Sequence, residues 1–322
     1  MKKTLKIAGI GFGILLSIVL IAAAWVQFTP MPVYDVVPPV VQLPTDSASL
    51  AKGKKVVELL CAHCHLGDDG KMSGRLFSPA SDPFGEIWSA NITQHPTKGI
   101  GRYTDGELAY LMRTGINRDG RIVGYMMCHP NMSDEDLASI VAYLRSGADI
   151  MQPSEAVHPA PAYLSSFMVK ALIKFGVFKP LPYDGKPISA PPATEQVAYG
   201  RYLATEFYEC YTCHSANFET NNLLEPEKSP GYFAGGNPVP DEAFNTCISP
   251  NITPSKEHGI GNWTEDQFLV AVKSGTRPDG TLLQHQMPRF ATLDDTEVRA
   301  IWAYLRTVPP VEESPLLAAK GE

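Results

Sequence analysis

Cys61-Ala62-His63-Cys64-His65 and Cys210-Tyr211-Thr212-Cys213-His214 share the spacing C-x-x-C-H, and no other feature restricts the chain as much. Two thiols three positions apart, followed at once by an imidazole, suit a haem. Its vinyl groups take the two sulfurs and its iron takes the histidine. A zinc half-site would need further cysteines or histidines at paired spacing. A thioredoxin-like dithiol would need a βαβ setting. Two copies, each feeding a duplicated downstream pattern, point to two covalently attached haem c groups.

The duplication is read by subtraction. Asn91-Ile92-Thr93 returns as Asn251-Ile252-Thr253, an offset of 160. At the same offset Gly99-Ile100-Gly101 matches Gly259-Ile260-Gly261, Thr104 matches Thr264, Gly115 matches Gly275, and Asp119-Gly120 matches Asp279-Gly280. Ala142-Tyr143-Leu144-Arg145 and Ala303-Tyr304-Leu305-Arg306 agree at 161, whereas the attachment motifs differ by 149. The second unit therefore has 11 extra residues between its attachment motif and the NIT segment. Two units of one fold follow.

Local signals place the helices. Leu50–Leu60 and Ala193–Tyr208 lead into the two motifs. Thr104 with Glu107, and Thr264 with Gln267, form capping boxes that start a middle helix in each unit. Gly115 and Gly275 are placed to end those helices. Leu137, Ile140, Val141 and Leu144 form an i, i+3, i+4, i+7 stripe, which Val298, Ile301, Trp302 and Leu305 repeat. The 28 prolines in 322 residues predict much irregular backbone and a helical rather than sheet-rich core. With 34 acidic and 27 basic side chains the net charge is −7, which argues against a nucleic-acid partner.

The amino-terminal end addresses a membrane. From Ile7 to Phe28 run 22 residues without formal charge. As a helix they rise about 33 Å, enough for a hydrocarbon core of roughly 30 Å. Lys2, Lys3 and Lys6 stay cytoplasmic, and the body is exported. A cleaved signal peptide competes with an uncleaved anchor, and Ala22-Ala23-Ala24 could serve its cleavage site. The expected division is residues 1–28 anchor, 29–46 proline-rich spacer lifting the body off the bilayer, 47–147 first unit, 148–192 linker, 193–311 second unit and 312–322 tail. In the linker Tyr163–Phe178 reads as an amphipathic helix. It is either a strut packed across both units or, with Lys170, Lys174 and Lys179 around it, a surface for membrane or partner.

Each iron needs a decision at its second face. Met287, before Pro288 and seven residues past Gly280, is a soft neutral ligand, with His285 as its rival. Met127 lies seven residues past Gly120, but Met126, Cys128, His129 and Met132 stand near it. Cys128 and Cys247 are left over. In an oxidising compartment they would bridge the two units or remain separate buried thiols.

Taken together, CxxCH, NIT(P), GIGxW(T), a DG turn, MP and a closing AYLR helix resemble the membrane-associated, multi-haem class I cytochrome c family. That family includes cytochrome subunits of periplasmic alcohol and gluconate dehydrogenases. The resemblance covers roughly residues 48–147 and 195–310. It implies an all-α fold of two tandem class I cytochrome c domains after the transmembrane helix. Cys61, Cys64, His65, Cys210, Cys213 and His214 would hold the haems, with Met127 and Met287 as axial ligands. The NIT and GIGxW segments would line the pockets. The first unit departs from the pattern with Gln94 after NIT, Tyr103 for tryptophan and Cys128 after Met127. The related subunits usually carry three haems, against two motifs here.

An electron carrier between a redox donor and acceptor, a membrane dehydrogenase or terminal oxidase complex among them, is the leading functional reading. A dihaem enzyme such as a peroxidase or thiosulfate-type dehydrogenase is the alternative, but peroxidase chemistry needs an iron that can open. A haem sensor would want an appended signalling module.

Overall fold

The computed structural model describes residues 2–79, 85–124, 126, 128–159, 166–241 and 243–312. Helix α1 (Lys2–Phe28) is continuous, and its Gly9–Phe28 stretch is 20 residues long and apolar on every face. Ile14, Leu15, Ile18 and Leu20 are exposed around its circumference. A free-standing helix of this kind belongs in lipid, where all its backbone bonds are met internally. The protein has one membrane-spanning helix among the described residues.

The spacer is extended as expected, and it docks on the first half. The Tyr34 amide donates to the Gly120 carbonyl at 2.8 Å. Tyr110 Oη donates to the Asp35 carbonyl at 3.1 Å. Val41 and Leu43 then pack into the main core. Apolar side chains between the prolines give the segment a reason to dock.

Helix α2 (Ser47–Val56) starts at Asp46, whose carboxylate accepts the Ser49 amide at 2.9 Å. A π-helical turn (Val57–Cys61) carries it into α3 (Ala62–His65). Next come the short strands β1 (Leu76–Ser78) and β2 (Ile87–Trp88), then α4 (Asp105–Thr114) and α5 (Asp134–Leu144). After α6 (Phe167–Lys174) the series returns: α7 (Gln196–Tyr202), a π-helical turn (Leu203–Phe207), α8 (Cys210–His214), β3 (Pro238–Pro240), β4 (Thr246–Ile248), α9 (Glu265–Ser274) and α10 (Asp295–Leu305). The two antiparallel strand pairs qualify the all-α expectation. The fold is predominantly helical, with one small hairpin-like pair in each half.

Both capping boxes form, at Thr104/Glu107 and Thr264/Gln267, and both middle helices end at a left-handed glycine, Gly115 and Gly275. Helix α2 crosses α5 at Gly53, and α7 crosses α10 at Gly200. A Cβ at either position would overlap a backbone carbonyl of the opposing helix, that of Ser139 or of Ala300. Close backbone approach at a glycine is what lets each short pair bury a continuous apolar face.

The halves also grip one another at matching positions. Lys55 and Tyr202 each lie two residues past the crossing glycine of their own half. Tyr202 Oη donates to Asp136 and accepts the Ser133 amide at 3.0 Å. Lys55 Nζ reaches Asp294 at 2.9 Å and Glu297 at 3.0 Å. Ser133 and Asp294 cap α5 and α10. Each half thus touches the other at the first turn of its closing helix. One core runs through both, from Val57, Leu137 and Ile140 to Phe207, Val298 and Ile301.

The linker helix differs from expectation. Its residues 160–165 lie outside the described set, and α6 ends at Lys174 because Gly176 is left-handed (φ 72°). Val169 and Ile173 pack on Ile87, Phe77, Ile122 and Met31, which belong to the first half and the spacer. Among the described residues it packs on the first half and the spacer, not as a strut across both halves. Cys128 and Cys247 are free thiols, so the bridge between the units is not made.

Candidate functional site

Each attachment motif sits where its helix unwinds. In the first half the π-helical turn runs straight into α3 and presents Cys61, Cys64 and His65 on about one turn. In the second half two more residues separate the crossing glycine from the motif. They are absorbed by a break at Tyr208–Glu209, where Glu209 is left-handed (φ 51°) before α8 begins.

The two histidines are oriented alike. His65 Nδ1 donates to the Ala90 carbonyl at 2.7 Å, and His214 Nδ1 donates to the Pro250 carbonyl at 2.9 Å. Because the partner is a carbonyl, the proton sits on Nδ1 and the Nε2 lone pair is left for a metal. Burial pushes both imidazoles below the usual range, with the carbonyl bond pulling the other way. Both are neutral, as a ligand must be.

The orienting carbonyls are themselves held. Ala90 and Pro250 immediately precede the NIT segments. Asn91 Oδ1 accepts the Thr93 amide and hydroxyl at 3.0 and 2.6 Å, and Asn251 does the same for Thr253 at 2.8 and 2.7 Å. The asparagine amides reach on to Ser154 and Ala156, or to Val311. Gly99 and Gly259 lie so close to the Thr93 and Thr253 carbonyls that a Cβ would overlap them. Arg145 then ties the loop to the closing helix through the Ile100 carbonyl at 3.0 Å and Asp105 at 2.8 Å. Arg306 reaches the Gly261 carbonyl at 3.2 Å.

The four motif thiols are free and half-buried. Burial raises Cys61 and Cys210 to about 12, and Cys64 and Cys213 to about 11. Protonated thiols are weak nucleophiles, so these are not the activated thiolates of a redox dithiol. The donor set fits a haem: two thiols and a neutral, Nε2-directed imidazole in each half.

Among the second-face candidates, Met287 is half-buried against the core. His285 is exposed, and its Nε2 meets Asp241 at 3.1 Å. Met127 lies outside the described residues. Of its neighbours, Met132 is a fully buried core methionine. The Cys128 thiol is raised to about 12 by burial. His129 Nδ1 is 2.9 Å from Glu209 Oε1, both groups buried, in a contact that crosses from one half to the other. Glu209 holds His129 above its ordinary range against the opposing effect of burial. Two rivals of Met127, Met132 and His129, are thus engaged elsewhere.

Residues 50–148 match the family profile described as cytochrome c. The chain carries a cytochrome c domain. Over 281 residues, 84% of this chain and 58% of the relative, it is 31% identical to the cytochrome c subunit of a quinone alcohol dehydrogenase from Gluconacetobacter polyoxogenes. It is 31% identical over 272 residues to the fructose dehydrogenase cytochrome subunit of Gluconobacter japonicus, covering 81% and 53% of the two chains. A diheme cytochrome c-type protein of Cereibacter sphaeroides is 27% identical over 265 residues, with 78% and 83% covered. The chain spans a little over half the length of the first two relatives. The names of these dehydrogenase relatives are those of cytochrome subunits, consistent with electron transfer without independent catalysis. The cytochrome c assignment implies haem c.

Sequence reasoning missed Ala90 and Pro250, the residues that aim the cytochrome histidines. The signal was available, since both immediately precede a repeated NIT. It also missed Glu209, although the two extra residues before Cys210 marked the place.

Proposed function

We propose that the protein is a membrane-anchored, two-haem electron carrier with residues 47–147 and 193–311 each folded around one haem c on the periplasmic side. The observation that carries this reading is the twice-built histidine: His65 and His214 are set by the same carbonyl position, each before an NIT turn. When bound, haem c supplies a one-electron iron couple. Cys61, Cys64, Cys210 and Cys213 would fix the two groups covalently. His65 and His214 would each give Nε2 to one iron, and Met127 and Met287 would give their sulfurs to the other faces.

The protein's own contribution is orientation and exclusion of water. The Nδ1–carbonyl bonds stop the imidazoles from rotating, and the shared core keeps the neighbourhood dry. Both measures lower the reorganisation that accompanies a change of charge. The relatives' names, cytochrome subunits of dehydrogenases, support a dehydrogenase as the donor in this reading, and the acceptor is a second redox protein.

A pyridine haemochrome assay on purified protein should give two haems per chain; one or three would overturn the reading. Met287→Ala should convert one ferric haem to high spin while both haems stay attached, and Met127→Ala should do the same for the other. A native protein that is already half high-spin would favour a dihaem enzyme with an open iron.

A further inference from the structure

The apolar span of α1 ends at Phe28, so the membrane surface lies at that residue. Trp25, one turn earlier, falls in the zone where aromatic side chains sit among lipid headgroups. At this height α6 meets α1. Phe175 lies against Trp25 with ring centroids 5.7 Å apart. Lys174 Nζ, 5.3 Å from the centre of the Trp25 ring, donates to the carbonyls of Trp25, Val26 and Thr29 at 3.1, 2.9 and 2.7 Å. The last carbonyls of a helix lack intrahelical partners, and here one ammonium serves several of them. The carboxyl end of α6 is therefore pinned at the bilayer surface.

Helix α6 is apolar on two faces. Val169 and Ile173 are buried against the first half. Met168, Leu172 and Phe175 form a second stripe at i, i+4, i+7, and Met168 and Phe175 are each 64% exposed. The left-handed Gly176 then folds the chain back, with the Val177 amide on the Leu172 carbonyl at 2.8 Å, and sets Val177 and Phe178 beside that stripe. Phe167, Val177 and Phe178 are exposed too. Exposed apolar patches of this kind mark an interaction surface.

We propose that α6 and the turn after it, residues 167–178, lie in the periplasmic leaflet as a second membrane contact, with Met168, Phe175, Val177 and Phe178 among the acyl chains. The occupant is phospholipid, because the patch is continuous with the lipid-facing surface of α1 at the depth where α1 leaves the bilayer. Lys170 and Lys179 flank it, as cations do on a helix lying at a membrane surface. The inference rests on α1 being retained in the membrane, so its test must separate the two.

The full-length, haem-loaded protein is placed in nanodiscs of phosphatidylethanolamine and phosphatidylglycerol. The photo-reactive residue p-benzoylphenylalanine replaces Ile18, Phe175, Phe178 or Val270 in turn, and the adducts are read by mass spectrometry after irradiation. Lipid adducts are expected at 18, 175 and 178, but not at 270, an exposed position on α9 of the second half. Adducts at 18 without any at 175 and 178 would overturn the proposal and leave the anchor intact. Adducts at 175 and 178 to a second polypeptide, as distinct from this chain's own Trp25 beside Phe175, would overturn it in favour of a protein partner. Silence at 18 as well would overturn both the anchor and the second contact.

Discussion

The two halves solve one packing problem twice and diverge where they face each other. Gly53 against Ser139 and Gly200 against Ala300 make the same crossing, and Thr104 and Thr264 make the same cap. By contrast, Lys55 became Tyr202 at the junction, and the smooth entry to Cys61 became a left-handed break before Cys210. Positions that close a small helical unit on itself admit few alternatives, since they are limited by backbone contact. Positions that join the units need only be complementary to a partner that differs from themselves.

The crossing glycines carry the largest expected effect. Gly200→Ala and Gly53→Ala place a methyl into a backbone carbonyl, where no side chain can yield. Each should cost at least the ~1–3 kcal/mol typical of overpacking. Urea denaturation of the two variants checks this. A tolerated alanine in one half alone would show that the crossings are not equivalent.

The junction comes next, and there the halves should differ. Tyr202→Phe strips a hydroxyl from buried Asp136 and leaves the Ser133 amide unpaired. About 1–3 kcal/mol is expected from a buried group left unsatisfied. Lys55→Met removes a cation shared by exposed Asp294 and buried Glu297, but Glu297 keeps its bonds from Tyr208 and the Asp294 amide, so the loss should be the smaller, about 1 kcal/mol. Equal losses in matched melts would contradict the asymmetry.

Before the two motifs the sign itself should reverse. At position 209 the left-handed backbone favours glycine, so Glu209→Gly should be more stable than Glu209→Ala by about 1–2 kcal/mol. At the counterpart, Leu60, the backbone is helical, and Leu60→Gly should be less stable than Leu60→Ala by about 1 kcal/mol. The smallest effect tests sameness. Thr104→Ala and Thr264→Ala should each cost about 1 kcal/mol, and the two thermal shifts should agree.

What the sequence made legible was local. The capping boxes, the left-handed ends at Gly115 and Gly275 and the apolar stripes of α5 and α10 each depend on residues a few positions apart, and the structure has them all. The motif residues were visible as a pattern, but their aim was not. Ala90 and Pro250 act through backbone carbonyls, which leave no side-chain signature. The pairing of Tyr202 with Asp136 and of His129 with Glu209 joins residues 66 and 80 positions apart, beyond any periodicity. The docked spacer was hidden for a related reason. Proline-rich sequence predicts an extended backbone but not whether that backbone lies in water or against a neighbour.

That docking changes how partners find the protein. Eighteen free residues between anchor and body would let the body wander over about 25 Å, as on a leash. With residues 29–46 laid against the first half, the body instead rides at one height and one tilt. Encounters then become a matter of lateral drift in a plane. A donor or acceptor in the same membrane meets an already-aligned face, whereas a soluble one must match that tilt from above.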